Sequence, residues 1–106
     1  MSKKHKIRTK LIPYYGKIVM LQGIYKKDDE NAKFRPMFMR IKNVETNEPV
    51  CYEMHINKSD IVRFVNCDKL EEDKLYGLVG VVTSYKYKHS DKINYTIKDI
   101  RIFLLD

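Results

Sequence analysis

The chain has 106 residues, 43% of them apolar, and a net charge of +7, which bounds it to one domain with a modest core. Its four Gly and three Pro exclude a collagen-like or low-complexity chain, and Cys51 and Cys67, 16 positions apart with no second pair, exclude a zinc ribbon or finger, since His5, His55 and His89 complete no ligand set. No apolar run is long enough for a membrane helix, and the charged N-terminus precedes no apolar stretch, so neither a membrane span nor a signal peptide is expected; with two free thiols, a reducing cytoplasm is the expected compartment.

The basicity belongs to one end. Residues 1–27 carry eight Lys/Arg and no acid, whereas residues 28–106 carry 13 Lys/Arg against 14 Asp/Glu. That asymmetry points to a polyanion partner. Residues 1–15 are expected to form a flexible basic arm and residues 16–106 the folded domain, with Pro13 and Gly16 marking the junction. The first predicted strand runs from Lys17 to Lys27, and Gly23 inside it marks a bulge or sharp bend. Asp28 to Lys33 is a polar loop. The second strand, Phe34 to Val44, alternates: Met37, Met39 and Ile41 share one face, and Phe38, Arg40 and Lys42 the other.

After a turn over Glu45 to Pro49, the third strand covers Val50 to Asn57. Val50, Tyr52, Met54 and Ile56 point inward; Cys51, Glu53, His55 and Asn57 point to solvent. Ser59 or Asp60 then caps a predicted short helix with Ile61, Phe64 and Val65 on one side. An acidic connection leads to a fourth strand, Leu75 to Tyr87, bent at Gly77 and Gly80. The turn Lys88 to Lys92 leads to a fifth, Ile93 to Leu104, whose pattern changes phase at Asp99, where a bulge is expected.

Catalytic and cofactor readings find little support, and no catalytic residue, metal ligand or cofactor is assigned. Glu71, Glu72 and Asp73 are contiguous and read as a solvated charge run. Cys51 and His55 share a strand face but lie about 13 Å apart along it, beyond the reach of a nucleophile–base pair. Gly77 and Gly80 lie within a strand pattern rather than before a helix, so no phosphate-cradling loop is present.

The order, three strands, a short helix and two strands, resembles the OB-fold: an all-β, five-stranded Greek-key barrel with one short helix between strands three and four. Leu78-Val-Gly-Val-Val82 resembles the fourth strand of bacterial single-stranded-DNA-binding proteins, and Tyr95-Thr-Ile-Lys-Asp-Ile-Arg-Ile-Phe-Leu104 is similar to their closing strand. Those proteins end in a long polar linker and acidic tip, whereas this sequence ends at Leu104-Leu-Asp106. That points to a small accessory protein of a mobile element or phage replication operon, with a replication polymerase, primase or helicase as a partner.

The resemblance places a ligand surface on strands two and three and on the loops joining strands one to two and four to five. A single strand is held there by cations along its phosphates and aromatic rings under its bases. The candidates are Tyr25 at the end of strand one; Phe38, Arg40 and Lys42 on strand two; His55 on strand three; and Tyr85, Lys86, Tyr87 and Lys88, a run that continues to His89. Lys3, Lys4, Lys6 and Arg8 of the arm would add charge. Glu53 and the acids Asp28, Asp29 and Glu30 oppose phosphate locally. Sequence-tolerant binding of single-stranded DNA in replication or recombination is the expected function, with RNA not excluded by the residues. The competing expectation is a protein-docking subunit anchored by Tyr14, Tyr15 and Phe34.

Overall fold

The computed structural model describes residues 7–26, 35–86 and 91–105. Among them are a 3-10 helix (Thr9–Tyr14) and the strands β1 (Ile18–Lys26), β2 (Met37–Asn43), β3 (Pro49–His55), β4 (Ile61–Phe64), β5 (Leu75–Lys86) and β6 (Ile93–Leu104). They form one sheet in the order β3-β2-β1-β5-β6-β4. Every ladder is antiparallel except that of β4 with β6.

The outermost strands, β3 and β4, are neighbours in sequence. Six residue steps separate His55 from Ile61, a reach of about 21 Å when fully extended, and this connection is shortened by a 3-10 turn at Lys58–Asp60. In a flat six-stranded sheet the outer strands would stand about 24 Å apart. The sheet is therefore curled, although no ladder joins β3 to β4 and it does not close.

Two bulges of the same design produce the curl. In the β1–β2 ladder, Gln22 pairs with Lys42 and Ile24 with Met39, so β2 carries one extra residue opposite Gly23. Arg40 absorbs it with a left-handed φ of 55°. In the β5–β6 ladder, Val79 pairs with Arg101 and Val81 with Lys98, so β6 carries the extra residue opposite Gly80, and Asp99 absorbs it at φ 52°. Each bulge turns two side chains three positions apart into the core: Phe38 with Ile41, and Ile97 with Ile100. The core then closes over the two glycines. A Cβ on Gly23 would stand 2.6 Å from Ile41 Cδ1, and one on Gly80 would stand 2.8 Å from the Lys98 carbonyl oxygen.

The phase change expected at Asp99 is present, and the irregularity expected at Gly23 is present with its extra residue on the partner strand. The helix expected near residues 59–66 is absent. Its place is taken by the Lys58–Asp60 turn and by β4. Ile61, Phe64 and Val65 have helical spacing, but β-branched Ile61, Val62 and Val65 also suit a strand, and the free edge of β6 decides: the Val65 amide donates to the Ile102 carbonyl at 2.9 Å. Nor do residues 7–15 belong to a flexible arm. Leu11 is fully buried in the core, and the 3-10 helix around it packs against both β3 and β6. The apolar content of Leu11-Ile-Pro-Tyr14 gives that segment enough buried surface to dock.

Gly80→Ala is expected to cost about 1–3 kcal/mol, the usual penalty of overpacking a filled core, because a backbone carbonyl blocks the new methyl group. At about 4–8 °C per kcal/mol for a domain of this size, thermal circular dichroism should register a drop of several degrees. An unchanged melting temperature would show that the bulge relaxes freely and does not depend on the glycine.

Candidate nucleic-acid interface

The β2–β3 hairpin pairs Met39 with Glu53 and Ile41 with Cys51, which sets Arg40 across from Tyr52. The left-handed turn at Arg40 rotates this step of the hairpin outward. Tyr52 is 67% exposed, the most exposed aromatic side chain among the described residues, and Arg40 is exposed beside it. Lys42, half-buried, follows two residues along β2. A flat ring with a guanidinium across the ladder offers one stacking surface and one planar cation, the two elements a flexible single strand needs. Arg40 and Lys42 form no ion pair among the described residues.

Lys26, at the end of β1, is different. Its ammonium bonds the Asp73 carboxylate. That hydrogen bond, with the charges of Asp73 and Glu72, pushes its pKa up, so it stays charged but is already compensated.

Several expected contact residues serve the core instead. Phe38 was expected on the solvent face and is fully buried, because the extra residue at Arg40 reverses the phase of β2. Its ring sits 5.7 Å from Tyr25 and 6.2 Å from Tyr76. Tyr25 is half-buried as part of that cluster, and His55 is half-buried opposite Met37.

Arg8 is not a free cation of an arm. Its amide donates to Asn94 Oδ1 at 2.8 Å, and its guanidinium donates to the Tyr95 carbonyl at 3.0 Å and the Tyr85 hydroxyl at 3.1 Å. The Cys51 thiol is pushed up in pKa chiefly by burial, with the Arg8 guanidinium acting in the opposite direction. Arg8 therefore ties the N-terminal segment to β5 and the first half of β6. Tyr85 is borderline exposed and already bonded to Arg8, and Lys86 lies 3.6 Å from Asp91. Lys3, Lys4, Lys6, Tyr87, Lys88, Phe34 and His89 lie outside the described residues.

Tyr52 is the residue that strand alternation missed, since its spacing from Met54 placed it inward. For Phe38 the usable signal was Gly23. A glycine that marks a bend in β1 implies a bulge in that ladder, and a bulge reverses the phase of a strand running through it. Among the described residues, no group of three or more His, Cys, Asp or Glu side chains could hold a metal ion, and no helix is long and apolar enough to cross a membrane.

Phe38→Ala is expected to lose about 3–5 kcal/mol of stability in urea denaturation, whereas Tyr52→Ala, which removes an exposed ring, should stay within about 0.5 kcal/mol of wild type. The reverse ranking would mean that Phe38 is peripheral and Tyr52 part of the core.

Comparison with protein-family models, curated proteins and solved structures returns no match, so the geometry of the chain itself carries the functional argument.

Proposed function

We propose that the chain is a single-stranded nucleic-acid-binding protein built on a variant of the OB barrel, with Tyr52, Arg40 and Lys42 at the centre of its binding surface. The observation that carries this reading is the exposed Tyr52 ring facing Arg40 across the β2–β3 ladder.

Several features support the fold part. β1, β2 and β3 are consecutive antiparallel strands, and β5 returns after a long connection to lie on the other side of β1, the spatial order of a Greek key. In this reading β3 and β4 are two halves of one strand broken at residues 56–60, the first half laddered to β2 and the second to β6. An SH3-like or Sm-like barrel accounts for the missing helix. It accounts less well for the parallel β4–β6 ladder.

The surface suits a polyanion without being uniformly basic. Glu53 is half-buried on the same hairpin, and Asp73 occupies Lys26, so Arg40 and Lys42 supply the local charge. Base stacking on Tyr52 adds affinity that does not depend on charge. Recruitment to replication or recombination proteins fits such a module, and the exposed Tyr15, packed edge-on against Tyr95 at 6.3 Å, favours a second reading as a docking subunit.

Fluorescence anisotropy with oligo-dT at several salt concentrations tests the proposal. If three to five phosphates are neutralised, log K should fall with log salt at a slope of about −2 to −3.5. Tyr52→Ala should weaken binding by about 5- to 150-fold at every salt concentration, and Lys42→Ala should flatten the slope by about 0.7. Absence of binding at low salt, or a Tyr52→Ala variant that binds like wild type, would refute the assignment; loss of partner capture in Tyr15→Ala alone would favour the docking subunit.

A further inference from the structure

A second cationic feature lies away from the β2–β3 hairpin. Arg63 of β4 and Arg101 of β6 are register partners in the parallel ladder, and both are exposed. Their neighbours define the face they occupy. Ile100 and Ile102 on either side of Arg101 are fully buried, and Phe64, which follows Arg63, pairs with Ile102 and packs on the core. Both arginines therefore leave the outer face of the sheet, from strands about 4.8 Å apart. Lys98 is exposed on the same side of β6, one ladder step from Arg101 past the Asp99 bulge.

Like charges placed directly opposite across a ladder are destabilising. Neither arginine is offset here: among the described residues, neither forms an ion pair or hydrogen bond, and Asp60 and Asp99, the acids nearest in sequence, bond to neither. Two guanidinium side chains rooted at paired positions of neighbouring strands can grip a phosphate through several N–H donors at once. Beside them, Val79 pairs with Arg101 and Val81 with Lys98, and Asp99, exposed at the bulge between Lys98 and Arg101, is the one acid of β6.

We propose that Arg63 and Arg101 form a phosphate-binding pair on the outer face of β4 and β6, separate from the Tyr52 surface. The ligand chemistry is a phosphate oxyanion, supplied either by the backbone of a bound strand or by free phosphate. The pair stands on its own geometry and does not require the strand-binding reading to hold.

The test compares the full chain with an Arg63→Gln/Arg101→Gln double variant. A Lys69→Gln/Lys74→Gln variant, which removes the same charge from the exposed connection before β5, serves as control. Inorganic phosphate should raise the melting temperature of wild type and control above that in chloride of equal ionic strength, and should not do so in the double variant. Without phosphate, the double variant should melt at or above the wild-type temperature, because a repulsion has been removed. A lower melting temperature would make the pair structural and overturn the proposal.

In oligo-dT titrations, an affinity loss of about tenfold or more with a salt slope flattened by at least about 0.7 identifies the strand backbone as the source. An unchanged titration alongside lost phosphate protection identifies free phosphate. If the double variant matches wild type in both assays, the proposal is wrong. If wild type fails to bind oligo-dT but its phosphate protection still depends on the pair, the strand-binding function fails and the phosphate site stands.

Discussion

Two positions without a side chain set the shape of the molecule. Gly23 and Gly80 each lie opposite an extra residue in the neighbouring strand, and each is covered by a pair of core side chains three positions apart. The design has an unfavourable part. Arg40 and Asp99 adopt left-handed backbone, at about 1–2 kcal/mol per residue for non-glycine types. Against this, each bulge places two large side chains inside, and full burial of each stabilises by about 1.5–3 kcal/mol. The burial term is the larger, so the strained backbone persists. A methyl group on either glycine would oppose that burial directly, because the core reaches the backbone at those points.

The curl that follows has consequences at both edges of the sheet. The second half of β6 takes up β4 in a parallel ladder, while β3 and the first half of β6 remain unladdered to each other. The N-terminal 3-10 helix docks on both, with Leu11 in the core and Arg8 bonding the partly buried Tyr95 carbonyl. An unpaired backbone carbonyl near the core is costly, and a guanidinium is a strong donor to it. One cation of the basic N-terminus is thereby committed to architecture. Buried Asn94 completes the junction by accepting the amides of Arg8 and Tyr95, both at 2.8 Å.

The same bulges decide which side chains reach solvent. The left-handed residue turns outward at each, so Arg40 stands free on β2, and on β6 the phase change leaves Lys98 and Arg101 on the outer face. The sheet-curling device and the exposed cations are thus linked: the extra residue that drives Phe38 inward is the one that presents Arg40.

Much of the fold was legible in the residues alone. The start of β5, the bounds of β6, a turn between the second and third strands and the phase change at Asp99 follow from β-branched runs, turn chemistry and a break in alternation, all of which act over a few neighbours. The all-β character and the exposure of Arg40 were equally readable. What tertiary structure decided are the cases where two segments compete for one partner. Ile61 to Val65 could satisfy its backbone as a helix, and becomes a strand because β6 offers a free edge. Phe38 is buried because a glycine on another strand sets the register of β2, and Tyr52 is exposed across from the left-handed Arg40. Arg8 is structural because curling the sheet leaves a carbonyl for it to bond. Local periodicity specifies which residues share a face while the register is regular; a bulge is a property of two strands together, so its effect on which face is buried emerges only once they pair.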